Sequence, residues 1–249
     1  MKLEKLINEE IERVEKNYKF ELKNIDILPK DVAQYIDHTI LNATATPEDI
    51  EKLCKEAADN QFFSVCVNPI FVPLAAEKLN NTGVKIATVI GFPLGATDTG
   101  TKAFETSIAL NEGADEFDMV INVGMLKSKK YEYVYEDIKA VVDTAENKLV
   151  KVIIETCYLE RNEIIAASLI SKLAGAHFVK TSTGFGTSGA KAEDVNLMKF
   201  VVGENIKVKA SGGIRNFGTA KEMICAGAER IGASAGIKII NGEESNSNY

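Results

Sequence analysis

Along this chain, short β-branched runs alternate with longer stretches in which apolar residues return every three or four positions. The short runs are "AQYIDHT", "FFSVCVN", "VKIATVIG", "DEFDMVIN", "KLVKVIIET", "HFVKTS", "IKVKAS" and "RIGAS", eight candidate strands. Most of the intervening segments carry a helical period. The clearest is "TPEDIEKLCKEAADN", with Thr46 as N-cap, Pro47 at the first helical position and Asp49 at the third. Ahead of the first strand, Leu3, Leu6, Ile7, Ile11 and Val14 share one face of an amphipathic helix, read as a structural cap laid on the main body. Eight strand–helix units without a Pro- or Gly-rich linker predict one closed parallel (β/α)8 TIM barrel. The expected organisation is an N-terminal helical extension over 1–28, the barrel over 29–240, and a flexible polar tail over 241–249. A length of 249 residues could hold two small domains, but it suits a single barrel of about 250 residues equally well.

Strands covered on both faces should be almost wholly apolar, so polar positions within them are informative. In "DEFDMVIN", Phe117, Met119 and Ile121 share one parity, which turns Asp118 toward the barrel interior with Glu116. In "IKVKAS", Ile206, Val208 and Ala210 face the helices, while Lys207 and Lys209 face inward. Lys207 starts the strand and can reach solvent at the barrel bottom, whereas Lys209 lies nearer the C-terminal end, where barrels build their sites. Asp37 opposes Ile36 in the same way. Lys151 and Glu155 share a parity and read as partners in a satisfied buried network. That explanation fits Lys180 and Lys209 less well, because their strands are neighbours ~5 Å apart and two ammonium groups would repel.

The charge balance of 29 Lys plus Arg against 36 Asp plus Glu, net −7, argues against a nucleic-acid footprint or a polybasic membrane anchor. Small molecules are the expected partners. No apolar run is long enough for a membrane span or a signal-peptide core, and a cytoplasmic location is expected. Cys54, Cys66, Cys157 and Cys225 lack paired spacing, so neither a zinc site nor a disulfide framework is expected. Cys66, inward with Ser64, and the separated His38 and His177 read as packing residues.

A lysine attacks a carbonyl only as the free amine, and burial or a neighbouring cation lowers its pKa toward that form. Lys180 beside Lys209 has both, which points to carbinolamine and Schiff-base chemistry, with Asp118 moving protons and Lys209 as a charged donor. Downstream, "SGGIR" (Ser211 to Arg215) follows strand seven and "GASAG" (Gly232 to Gly236) follows strand eight, the usual phosphate position in barrels. Candidate phosphate contacts are Ser211, Gly212, Gly213, Ser234 and Gly236, with Gly184 added from "STGFG" after strand six.

These segments, with "SVCVNP", "VIGFPLGA", "KVIIET", "FVKTSTGFG" and "KASGGIR", make the chain resemble the deoxyribose-phosphate aldolase family from about residue 35 to 239. The resemblance places that family's Schiff-base lysine on Lys180, its second active-site lysine on Lys209 and its proton-relaying aspartate on Asp118. It implies reversible cleavage of 2-deoxy-D-ribose 5-phosphate to D-glyceraldehyde 3-phosphate and acetaldehyde without a cofactor, in deoxyribonucleoside breakdown, and a homodimer. Phe185 stands where some members carry a lysine near the phosphate. Tyr249 is a candidate to lend its phenol to proton transfer, against a plain unstructured tail. Two rivals share these motifs: a Schiff-base aldolase acting on another phosphorylated sugar, and a non-catalytic sugar-phosphate binder whose lysines only neutralise the ligand.

Overall fold

The computed structural model describes residues 2–243. Tyr249 and most of the polar tail lie outside the described residues. The eight expected runs form strands β1 (Ile36–Ile40), β2 (Ser64–Val67), β3 (Lys85–Ile90), β4 (Glu116–Val120), β5 (Leu149–Ile153), β6 (Phe178–Lys180), β7 (Lys207–Ser211) and β8 (Arg230–Ala233). They pair in parallel in sequence order and β8 closes on β1, so the sheet has no free edge. Helices α2 (Pro47–Asp59), α3 (Val72–Lys78), α4 (Thr99–Asn111), α6 (Tyr131–Thr144), α7 (Arg161–Leu173), α8 (Ala192–Val202) and α9 (Phe217–Ala226) follow successive strands. The short α5 (Val123–Lys127) and α10 (Gly236–Ile240) sit directly after β4 and β8. This is the (β/α)8 barrel that the alternation predicts.

Local chemistry starts the helices where expected. The Thr46 side chain accepts from the Asp49 N–H while Asp49 reaches back to the Thr46 N–H, and Pro47 opens α2. The N-terminal helix α1 (Lys2–Asn17) packs on α6, α7 and α8 of its own barrel, burying Ile7 and Val14. Each such aliphatic side chain contributes roughly 1.5–3 kcal/mol by leaving water.

Strand register decides what meets inside. Asp37 lies opposite Ser64, Asp118 opposite Lys151, and Lys180 opposite Lys209. The inward parity read for Asp37, Asp118 and Lys209 therefore holds, and Lys207 sits exposed at the barrel bottom over the Phe178 ring, 5.8 Å from its centre.

Candidate active site

Seven buried ionisable side chains from six strands are in mutual contact inside the barrel: Asp37, Glu116 and Asp118 against Lys151, Lys180, Lys209 and Arg230. Asp118 is the hub. Its Oδ2 accepts from Lys180 Nζ at 2.8 Å and from Lys209 Nζ at 2.7 Å, and its Oδ1 accepts from Lys151 Nζ at 2.6 Å. Lys209 also meets Asp37 Oδ2 at 2.5 Å. Arg230 donates to Asp37 and Glu116 from below, its guanidinium 3.6 Å from the centre of the Phe63 ring.

This arrangement separates the two lysines chemically. Burial lowers the Lys180 pKa; Asp118 opposes that and Lys209 reinforces it, and the net direction is down. At Lys209 burial also disfavours charge, but Asp118 and Asp37 outweigh it and the pKa is raised. Burial likewise disfavours charge on Asp118, yet Lys151, Lys180 and Lys209 hold its carboxyl well below the usual range. The charge count gives the same answer. Four cations face three carboxylates in a low-dielectric interior, and the network balances when Lys180 is the neutral amine.

The pairing expected for Lys151 and Glu155 does not form. Strand β5 ends at Ile153, and Glu155 enters the left-handed region at φ 55°, so the shared parity stops short of it. Lys151 bonds Asp118 and Glu116 instead, with its ammonium 2.7 Å from Glu116 Oε2. Glu155 rises to the top of the barrel and accepts from Thr183. A buried left-handed residue of this kind costs about 1–3 kcal/mol unless its surroundings hold it there.

Above the hub opens a cavity of about 110 Å³ with Lys180 in its wall. Gly184, Ser211, Gly212, Gly213 and Ser234 line it, so the structure brings these predicted positions together with the lysine. Asp118 and Lys209 lie in the barrel interior, bonded to one another and, through Asp118, to Lys180. Among the described residues, the backbone N–H groups of Gly184, Gly212 and Gly213 have no acceptor within the protein, leaving three donors for an anion. Ser211 has another use: its hydroxyl donates to the Ser182 carbonyl at 2.6 Å and ties two loops together. Gly236 does not line the cavity. It packs back against the His38 and Phe62 rings, where a β-carbon would come within 2.9 Å of His38 Nδ1.

Two glycines make the site possible sterically. A side chain at Gly232 would meet Lys209 Cε at 3.1 Å, so β8 leaves room for the lysine stem. At Gly189 a β-carbon would fall 2.1 Å from the Gly212 carbonyl oxygen, so the loops after β6 and β7 touch backbone to backbone.

Cys66 is fully buried beside Leu41, Ala87 and Val89, and burial raises its thiol pKa. His38 Nε2 lies 2.8 Å from Glu56 Oε2, and His177 Nδ1 accepts from the Val150 N–H at 3.1 Å. Both sit in packing contexts. Sequence reasoning passed over Arg230, whose inward parity opposite Ile231 was available, and Arg215, a cation in the cavity wall inside the quoted "SGGIR". Thr39 and Leu41, also in the wall, carry no signal in sequence.

The family model for DeoC/LacD family aldolases matches residues 31–242. A deoxyribose-phosphate aldolase of Thermotoga petrophila is 59% identical over 242 residues, covering 97% of this chain and 98% of its own. The deoxyribose-phosphate aldolase of Clostridium tetani is 61% identical over 211 residues, 84% of this chain and 98% of its own. Among solved structures, the tetrameric deoxyribose phosphate aldolase of Aeropyrum pernix superposes with a TM-score of 0.80 at 32% identity, over 94% of this chain and 95% of that one. A Coccidioides immitis protein superposes with a TM-score of 0.92 at 43% identity, over 96% of both chains. With a barrel of this shape and matches of this extent, the chain belongs to the DeoC/LacD family of aldolases.

Proposed function

We propose that this protein is a class I aldolase that reversibly cleaves 2-deoxy-D-ribose 5-phosphate to D-glyceraldehyde 3-phosphate and acetaldehyde, with Lys180 as nucleophile. The observation that carries the reading is the lysine pair sharing one Asp118 oxygen beneath a glycine-lined cavity. The neutral Lys180 amine adds to the C1 aldehyde, and loss of water from the carbinolamine leaves an iminium ion. Removal of the C3 hydroxyl proton forms the new C3 carbonyl as the C2–C3 bond breaks, and its electron pair moves to the iminium to give an enamine. Protonation at the enamine carbon followed by addition of water releases acetaldehyde and restores the amine. Asp118 carries the protons and Lys209 supplies the charged donor that steadies the oxygens.

The phosphate goes to the far end of the cavity, against the N–H groups of Gly184, Gly212 and Gly213, with Ser234 and Arg215 at the rim. Among the described residues no helix is long and apolar enough to cross a membrane. A cytoplasmic homodimer working in deoxyribonucleoside breakdown is the setting we propose, on the family likeness.

The test is incubation with 2-deoxyribose 5-phosphate and borohydride, followed by peptide mapping. The expected result is a reduced adduct on Lys180, absent from Lys180→Met together with the activity. An adduct on Lys209 would reverse the two assignments. Binding without any adduct would replace the aldolase with a sugar-phosphate binder.

A further inference from the structure

We infer that Glu155 is a positioning residue that sets selectivity for the phosphorylated end of the substrate, by clamping the turn after β6 from behind; this rests on the phosphate reading of the cavity. Six non-glycine residues among those described have positive φ, and five of them, Gln61, Asn81, Lys129, Glu146 and Asn147, are exposed. Glu155 is the buried one, 3% exposed. A left-handed glutamate is tolerated there only because its carboxylate is fixed, and what fixes it is the turn. Oε2 accepts from the Thr183 N–H at 3.1 Å and from the Thr183 hydroxyl at 2.5 Å, and Oε1 faces the Cys157 thiol at 3.7 Å. No ion pair among the described residues involves Glu155, so its bonding capacity is directed at these neutral donors.

The clamp continues one step further. Thr183 Oγ1 accepts from the Phe185 N–H at 3.0 Å. The N–H groups on either side of Gly184 are therefore consumed, and the Gly184 N–H, in the cavity wall, is the one left over. The turn lies directly on the carboxylate: a side chain at Gly186 would come within 3.1 Å of Glu155 Oε1 and 2.7 Å of Cys157 Sγ. Glu155 itself does not line the cavity. It touches the turn and not the ligand, so its effect on the phosphate is exerted through the position of one backbone donor.

The test compares kcat/KM for 2-deoxyribose 5-phosphate with that for 2-deoxyribose in wild type, Glu155→Gln and Thr183→Val. Gln keeps the volume but turns one acceptor into a donor, and Val keeps the shape of Thr183 without the hydroxyl. Both variants are expected to lower the ratio by about tenfold or more, mainly through KM for the phosphorylated sugar, while borohydride trapping of acetaldehyde in Glu155→Gln stays within about threefold of wild type. If both substrates lose equally, or the ratio does not move, the inference is wrong and Glu155 is a plain structural residue. A wild-type protein with no preference for the phosphorylated sugar would instead overturn the phosphate reading, and this inference with it. Should Glu155→Gln fail to fold, Thr183→Val alone decides, since it removes the hydroxyl from the chain of bonds while the Thr183 N–H still holds the Glu155 carboxylate.

Discussion

Lys180 and Lys209 are opposite each other across two strands and bond the same oxygen, yet their protons behave in opposite senses. Removing each neighbour of Lys180 should therefore move its titration in a different direction. In Lys209→Met a cation that disfavours the Lys180 charge is gone, and Asp118 has one fewer positive partner to share. The pH at which acetaldehyde trapping becomes half-maximal is expected to rise. In Asp118→Asn the carboxylate that favours the Lys180 charge is gone, and the half-maximal pH is expected to fall, with kcat reduced ~10²–10⁴-fold because the proposed proton carrier is lost. Wild type should lie between them, below the ~10.4 of an ordinary lysine. Shifts of the same sign in both variants would contradict the assignment of Lys180 as the depressed amine.

At the scale of elements, the join between α4 and α6 rests on a pair the strand pattern does not reveal. Lys102 on α4 is fully buried, with its ammonium 2.5 Å from Asp137 Oδ2 on α6 and 2.9 Å from the Val120 carbonyl at the end of β4. Lys102→Met should destabilise the fold by roughly 3–5 kcal/mol by leaving Asp137 buried and unpaired, and the double variant Lys102→Met, Asp137→Leu should recover most of it; chemical denaturation measures both. The strands themselves were legible because β-branched runs are short and regular, and parity alone turned Asp118 and Lys209 inward. Parity fails where a strand ends, and Glu155 escapes it for that reason: nothing in "KVIIET" marks the left-handed turn after Ile153. Cross-strand partners were also illegible. Asp37 and Arg230 are separated by 193 positions, and only the stagger of the closed barrel brings them into contact. The neighbourhood of Gly236 in "GASAG" points to the phosphate, whereas the turn into α10 directs it toward His38.

For the whole molecule, closure of the barrel lets charges from six strands converge where an open sheet would leave them exposed to solvent. It also determines how that interior responds to chemistry at one nitrogen. As ammonium or as iminium, Lys180 adds a fourth positive charge against three carboxylates; as amine or enamine it adds none. Acetaldehyde alone should therefore exchange its methyl protons with D2O on the wild-type protein, seen by NMR, without any second aldehyde present. Lack of exchange, with Schiff-base trapping intact, would show that the excess charge is tolerated. With exchange, the uneven ion pairing has a thermodynamic meaning: it makes both cationic states of the nitrogen electron-demanding. One discharges by giving up a proton and becomes a nucleophile, the other by pulling electrons out of an adjacent carbon bond, so a single surplus charge both arms the attack and drives the cleavage.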